Sequence, residues 1–450
     1  MTARTVLLVR HAKAKSRDEG LDDLQRPLTK AGRKALEATL VPVAKLAKEL
    51  VRDATADAPE GVAAVAAWSS EAVRACETAE QVTKRLMKNA EPELRPCLTE
   101  QNLERFAADL DASDSPLVIA VGHNPFMERA LAELTGCQLA LGVGSIAAVQ
   151  LPAAKQSWSR QLRASTSIAV APENRARLLW LVEGIPARPF KVALSVEETV
   201  AKAAKTVAER LQGFLDDPDD VETLHKLRVS IRTLRSLVGF LEPFLEKKQA
   251  KGMQRELRGI VLQTSDLREY DVLLEQVETL DTDAGELYSA ICELRGQERD
   301  AVLEALSGEE TARALAAVRK EAEHLTWKER VERAGLAPER LTARFDELAD
   351  GVTAGLATLD YADEEAVHTL RKDAKRVRYV AENFGALMSP SVAERAHEMT
   401  AVQDQLGALC DARVNVQLIC GFPAAGLSPE AHRGLGSLLE KNMSFLDSAL

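Results

Sequence analysis

Two groups of residues in this chain have the types and spacings for chemistry on anions. In the first, Arg10-His11 closes an apolar run. Ser69-Ser70 closes a second, with Arg74 one turn into the helical pattern that follows, and Gly122-His123 closes a third. A neutral imidazole is a good nucleophile toward phosphorus, and a phosphohistidine intermediate divides one difficult displacement into two easier ones. Arginines stay charged and grip phosphoryl oxygens with paired donors. Two histidines and two arginines gathered at strand ends therefore suit phosphoryl transfer, with catalysis from positioning and electrostatic stabilisation.

In the second group, His225, Arg228, Arg232 and Arg235 recur as His368, Arg371, Lys375 and Arg378, both sets at offsets of 3, 7 and 10. At about 100° of rotation per residue, these offsets hold four side chains within a sector roughly 80° wide on one helix face. Leu227, Ile231, Leu234 and Val238 fall beside the first ladder, and Leu370, Ala374, Val377 and Ala381 beside the second. Each helix can pack on a core while presenting a line of cations along one flank. A single basic run is ordinarily a solvated face. Two in matching register argue a polyanion site.

The elements that must hold these residues come in two textures. To about residue 190, strand-like runs at 5–10, 62–68, 117–122, 145–151 and 176–183 alternate with helical patterns at 31–51, 71–88 and 126–135. That alternation predicts an α/β three-layer sandwich on a largely parallel sheet, whose strand ends present functional groups at one edge. Residues 152–174 read as a loop or hairpin, and the Gly184–Pro189 stretch as a boundary. From Ser195 onward, long helical patterns follow one another, with breaks near 216–220, 242–243, 281–285, 335–338, 360–365 and 421–429. The repeat spans roughly 199–275 and 344–414, so an all-α domain of two pseudo-repeated bundles is expected. The expected domains are 1–190 and 196–450.

Composition narrows the function classes. A chain of 450 residues with 46% hydrophobic content can build more than one packed core. No apolar run approaches the roughly 20 residues of a membrane span. The strand-like Val6–Val9 run follows Met1 without signal-peptide anatomy, so a cytoplasmic protein without a membrane partner is expected. The six cysteines are far apart with no Cys-x-x-Cys pair, so neither a zinc site nor a disulfide framework is expected, nor any cofactor. A net charge of −11 argues against a general nucleic-acid binder, and the basic helices lack interleaved stacking aromatics apart from Tyr379.

The segments Leu8-Val9-Arg10-His11, Ser69-Ser70 with Arg74, and Gly122-His123 resemble the histidine phosphatase superfamily, and most closely its small SixA-type phosphohistidine phosphatases. Arg26-Pro27-Leu28-Thr29 with Gly32 is similar to their loop before the first helix, and the resemblance covers about residues 4–185. It implies His11 as nucleophile, Arg10, Arg74 and His123 completing a phosphate pocket, and Arg26 as a more peripheral ligand. Two departures stand out. Ala12 replaces the glycine usual after the nucleophile, which is compatible with ordinary backbone dihedrals. Larger superfamily members also carry a carboxylic acid that protonates the leaving group; the candidate here is Glu100, with Glu104 second, although SixA-like members manage without one.

The helical repeat resembles the CHAD (conserved histidine α-helical) domain over about residues 196–445. Leu224–Val229 with Arg232 and Arg235 carries the likeness, as does Val367–Lys372 with Lys375, Arg376 and Arg378. Asp271-Val272, Gln403, Leu406-Gly407 and Asp411 match downstream. Departures are Glu269, where an aspartate is usual, and the absence of the second half's Leu-Gly from the first. The resemblance implies a basic channel for inorganic polyphosphate between two four-helix halves. His225 and His368 would donate to phosphate, and Lys226, Lys372 and Arg376 would be rim cations. Association with polyphosphate granules is the matching expectation.

Three readings follow. The chain hydrolyses phosphohistidine or another small phosphorylated target, localised by polyphosphate; or polyphosphate itself is the substrate; or the chain is a polyphosphate-binding protein with an inactive phosphatase-like domain. The intact Arg10, His11, Arg74 and His123 set favours an enzyme.

Overall fold

The computed structural model describes residues 4–87, 91–151, 176–280 and 285–449. The chain divides into two compact units, Met1–Ala193 with Glu332–Gly335, and Leu194–Val331 with Leu336–Leu450.

In the first unit, six strands form one sheet: β1 (Thr5–Arg10), β2 (Val65–Ser69), β3 (Glu93–Leu94), β4 (Leu117–Gly122), β5 (Ile146–Gln150) and β6 (Arg177–Val182), in the order β3-β2-β4-β1-β5-β6. The four strands from β3 to β1 run parallel, whereas β5 is antiparallel to β1 and β6 to β5. The sheet is therefore mixed, with a parallel part of four strands and an antiparallel edge of two. The loop or hairpin expected at 152–174 lies outside them.

The pleat explains why β1 is apolar throughout. Val6 and Leu8 point into a core built with Phe106 and Leu110 of the helix Leu103–Ala112 and Phe126 and Leu131 of the helix Phe126–Thr135. Leu7 and Val9 point the other way, onto Leu36, Leu40 and Val43 of the helix Lys30–Asp57 and Ala79 and Val82 of the helix Val73–Leu86. With both faces covered, neither row of side chains can be polar. These are the three layers that the strand-helix alternation predicted.

The second unit is helical. The helix Arg188–Asp216, most of which belongs to this unit, begins before the change of composition at Ser195, with Pro189 in its opening turn, where a missing N–H costs nothing. The ladders lie on the helices Val221–Leu241 and Glu364–Phe384, each opened by an aspartate N-cap, Asp220 and Asp363. Leu227, Ile231, Leu234 and Val238 are completely buried, Leu370, Ala374 and Val377 are buried while Ala381 is half-buried, and Phe240 meets Phe384 with ring centroids 5.9 Å apart.

The two halves differ in one respect. The second half uses four helices, Pro338–Ala357, Glu364–Phe384, Ser391–Gly421 and Pro429–Ala449, as the resemblance implied. Where it has the 31-residue helix Ser391–Gly421, the first half has two, Lys247–Leu262 and Ser265–Val277. The break falls at Thr264, which is fully buried and whose hydroxyl accepts from Arg228 Nη1 at 2.6 Å and donates to the Val261 carbonyl at 2.8 Å. The first half also adds Gly285–Ser307 and Glu309–Glu323, so it is not a four-helix copy.

Candidate functional site

The register of the sheet builds the first site. Arg10 at the end of β1 pairs with Gly122 at the end of β4, and Ser69 at the end of β2 pairs with Val121. The next residues continue the ladder for one more step. His11 N donates to the Gly122 carbonyl at 3.0 Å, and Ser70 N to the Val121 carbonyl at 3.1 Å. His11, Ser70 and His123 are thus delivered side by side at the C-terminal edge of three adjacent parallel strands, where such sheets place their ligands.

A cavity of about 240 Å³ opens there, with His11, His123, Arg26, Arg74 and Asp23 among its walls. The two imidazoles meet edge to face with centroids 4.9 Å apart. His11 Nδ1 lies 2.8 Å from the Ala12 carbonyl, which can only accept, so Nδ1 carries the proton and Nε2 keeps its lone pair. Burial lowers the His11 imidazole to about 4, reinforced by Arg74, Arg10 and Arg26 and opposed by the Ala12 hydrogen bond. Burial and the neighbouring His11 lower His123 to about 3. Both rings are neutral at physiological pH. His123 Nε2 is 2.7 Å from Ser70 Oγ. When that hydroxyl donates, His123 carries its proton on Nδ1, a buried atom with no partner among the described residues.

Local structure sets the remaining groups. Thr29 caps the helix Lys30–Asp57, accepting from Gly32 N at 2.9 Å while its own N–H donates to the Lys13 carbonyl at 2.9 Å. A Cβ on Gly32 would stand 2.2 Å from that same carbonyl, so only glycine lets the helix start lie against the chain just past His11. Arg33, which reads as a surface charge in sequence, instead pairs with Glu77 at 2.6 Å, while the other Glu77 oxygen accepts from Leu28 N at 2.7 Å. Arg26 is held over the cavity by this frame, its Nη1 donating to the Lys15 carbonyl at 2.7 Å. Ala12 is buried and does not have positive φ, and its N–H donates to Thr78 Oγ1 at 3.1 Å, which explains why alanine is accommodated.

Two expected members stand apart. Arg10 does not line the cavity; its Nη1 donates to the Leu141 carbonyl at 2.6 Å. Glu100 is exposed and paired with Arg105 at 2.5 Å, while its neighbours Thr99 and Gln101 line the cavity instead. The next residue, Gln101, adopts φ 56°. Asp23 and Ser70 are the contributors that pattern reading missed. Ser70 was visible as part of a motif, but Asp23 lies in an acidic loop without periodicity.

The second site is a cleft of about 1130 Å³ in the helical unit. The first ladder supplies His225, Arg228, Arg232 and Arg235, and the second His368, Arg371, Lys372, Lys375 and Arg376. Two expected cations do not line it. Lys226 pairs with Glu222 at 3.6 Å, and Arg378 pairs with Glu382 at 3.5 Å and lies over the Tyr379 ring.

Residues 198–420 match the family model of the CHAD domain. This stretch is a CHAD domain. No curated protein matches the chain. Among solved structures, the CHAD domain from the plant Ricinus communis is 20% identical, with a TM-score of 0.45, covering 57% of this chain and 87% of that one. PptA from Streptomyces chartreusis is 16% identical, with a TM-score of 0.43, covering 57% and 95%. The protein histidine phosphatase SixA complexed with tungstate is 19% identical, with a TM-score of 0.27, covering 40% of this chain and 96% of that one.

The cleft of the CHAD domain also holds Lys251, Arg268 and Arg344, cations outside the repeated register and missed for that reason. Acids neutralise part of the charge. Arg371 pairs with Asp411 at 3.0 Å, and Arg268 with Glu275 at 3.1 Å. The middle of the cleft stays unbalanced. Burial, then Arg371 and Arg232, lower the Lys375 ammonium to about 8; burial, then Arg232 and Arg268, lower Arg228 to about 10. Cations of the two ladders thus repel one another across the cleft.

Proposed function

We propose that the first unit is a phosphohydrolase with His11 as nucleophile, acting on phosphohistidine or a small phosphoric monoester, and that the CHAD domain binds inorganic polyphosphate. The observation that carries the enzymatic reading is the His11 tautomer: Nδ1–H is tied to the Ala12 carbonyl, leaving Nε2 unprotonated beside Arg74 and Arg26. Nε2 attacks phosphorus, the bond to the leaving group breaks, and a P–N bond to His11 forms. Water then attacks the phosphoenzyme and releases inorganic phosphate with His11 restored. Arg74 and Arg26 take up charge on the phosphoryl oxygens, and His123 Nδ1–H is a further donor when Ser70 donates to Nε2. With Glu100 turned outward, a phosphohistidine substrate is favoured, because a protonated ring nitrogen leaves without an enzyme acid. Arg10, held against Leu141, supports the pocket from behind.

The polyphosphate reading rests on the meeting of both ladders in one cleft, where Arg232, Arg371 and Lys375 lack enough acids to balance them. Residues one turn apart rise about 5.4 Å, which lets a flexible chain of phosphates meet successive cations. His225 and His368 are offered as donors at the cleft wall. The decisive experiment is a phosphate-release screen of the purified chain against phosphohistidine peptide, polyphosphate and sugar phosphates, with His11→Ala as control. Release from the peptide that disappears in the variant supports the reading. Equal release from both proteins overturns it.

A further inference from the structure

The cations around the His11 cavity are not left to solvent anions alone, because a carboxylate of the chain already sits among them. Asp23 accepts from Arg74 Nη2 at 2.8 Å, from Arg26 Nη2 at 2.6 Å and from Arg17 Nε at 3.1 Å, and its backbone carbonyl accepts from Arg74 Nη1. Arg74 is almost wholly buried, yet the Asp23 side chain is 44% exposed. Arg26 and Arg74, with Arg17, are the guanidiniums on the cavity wall, and all three meet Asp23. Arg26 and Arg74 each also have a buried Nε without a partner among the described residues.

Resting on the phosphohydrolase reading, we propose that Asp23 is a built-in counter-ion that occupies the arginines between turnovers, is displaced by a substrate phosphoryl dianion, and re-enters to help expel phosphate. The local backbone permits this. Leu24 O accepts from Val73 N at 2.8 Å, and Leu24 N donates to Asp22 Oδ1 at 2.8 Å, so the main chain beside Asp23 is pinned. The exchange needs only rotation of a short, half-exposed side chain. A pocket that grips phosphoryl groups with several arginines must release a phosphate of similar charge each cycle, and an internal carboxylate competing for the same donors lowers its affinity. Burial raises the Asp23 carboxyl, and the bonds from Arg26 and Arg74 overcome this, holding it well below the usual carboxylate range. It therefore competes as an anion and does not serve as a proton donor.

The test uses the full chain, Asp23→Asn and Asp23→Ala. Inhibition of phosphohistidine-peptide hydrolysis by orthophosphate is measured, together with calorimetric orthophosphate binding, taking as pocket binding the part lost in Arg74→Ala. Both variants should show a product-inhibition constant and a KM lower by roughly tenfold or more, since a nearby like charge is removed. Values that rise or stay put in both variants, with near-ultraviolet circular dichroism unchanged, would show that Asp23 only aligns the arginines, and the proposal falls. Tighter Arg74-dependent binding in a chain that hydrolyses nothing sinks the phosphohydrolase reading and leaves the counter-ion standing. No Arg74-dependent binding in any of the proteins sinks both.

Discussion

At the scale of residues, His11 is the group whose chemistry is most constrained. With the ring held neutral down to about 4, kcat/KM corrected for substrate ionisation should be level from pH 8 to about 5 and fall as pH drops through about 4. A fall already complete near 6 would show an unperturbed histidine and remove the burial argument. The same shifts make stability depend on pH. The folded rings protonate near 4 and 3 but the unfolded ones near 6.5, so the unfolded state binds more protons below 6.5. Urea melts of the full chain should show this stability fully present above about 6.5 and declining as pH falls toward 4. His11→Ala should abolish turnover and the acid-labile phosphoenzyme. Arg74→Ala should lower kcat by about two to three orders of magnitude, as expected on losing a charged phosphoryl clamp.

At the scale of elements, each site depends on how one segment is anchored. Gly32→Ala forces the start of the helix Lys30–Asp57 away from the Lys13 carbonyl, which must displace backbone rather than a flexible side chain. A loss of about 1–3 kcal/mol is expected, together with weaker phosphate binding, because Arg26 rides on the same loop. An unchanged melting curve would refute the contact. On the ladder helices, Lys375 at about 8 gives a different signature. A bound polyanion restores its proton, so polyphosphate binding between about pH 8 and 10 should take up protons. Calorimetry in two buffers of different ionisation enthalpy would read this directly; identical heats would show that Lys375 does not meet the ligand.

At the scale of the whole molecule, a chain of net charge −11 carries a local cationic cleft, so polyanion binding should weaken steeply with salt. Replacing Arg228, Arg232, Arg371 and Lys375 with glutamate should abolish polyphosphate binding while leaving hydrolysis of a small phosphate ester unchanged, because these residues and His11 belong to different compact units. Loss of ester hydrolysis in a folded quadruple variant would show instead that the domains share one site, favouring polyphosphate as substrate. No helix among the described residues is long and apolar enough to cross a membrane.

What could be read from sequence alone is what depends on local periodicity. The ladders at Arg228/Arg232 and Arg371/Lys375 were legible because a helix repeats every 3.6 residues whatever surrounds it, and β1 because a strand covered on both faces must be apolar throughout. The His11, Arg74 and His123 positions were legible because motifs close strands. Tertiary structure decided what lies between distant segments. Asp23 reaches Arg74 only because the loop before Arg26 folds back on the helix Val73–Leu86. Glu100 is drawn outward by Arg105, Arg268 and Arg344 enter the cleft from positions outside the two ladders, Lys226 misses it by its rotation on the helix, and Arg378, on the ladder face, is drawn aside by Glu382 and the Tyr379 ring. A charge has no period of its own; its partner is set by where the chain returns in space, and that depends on packing of the whole core.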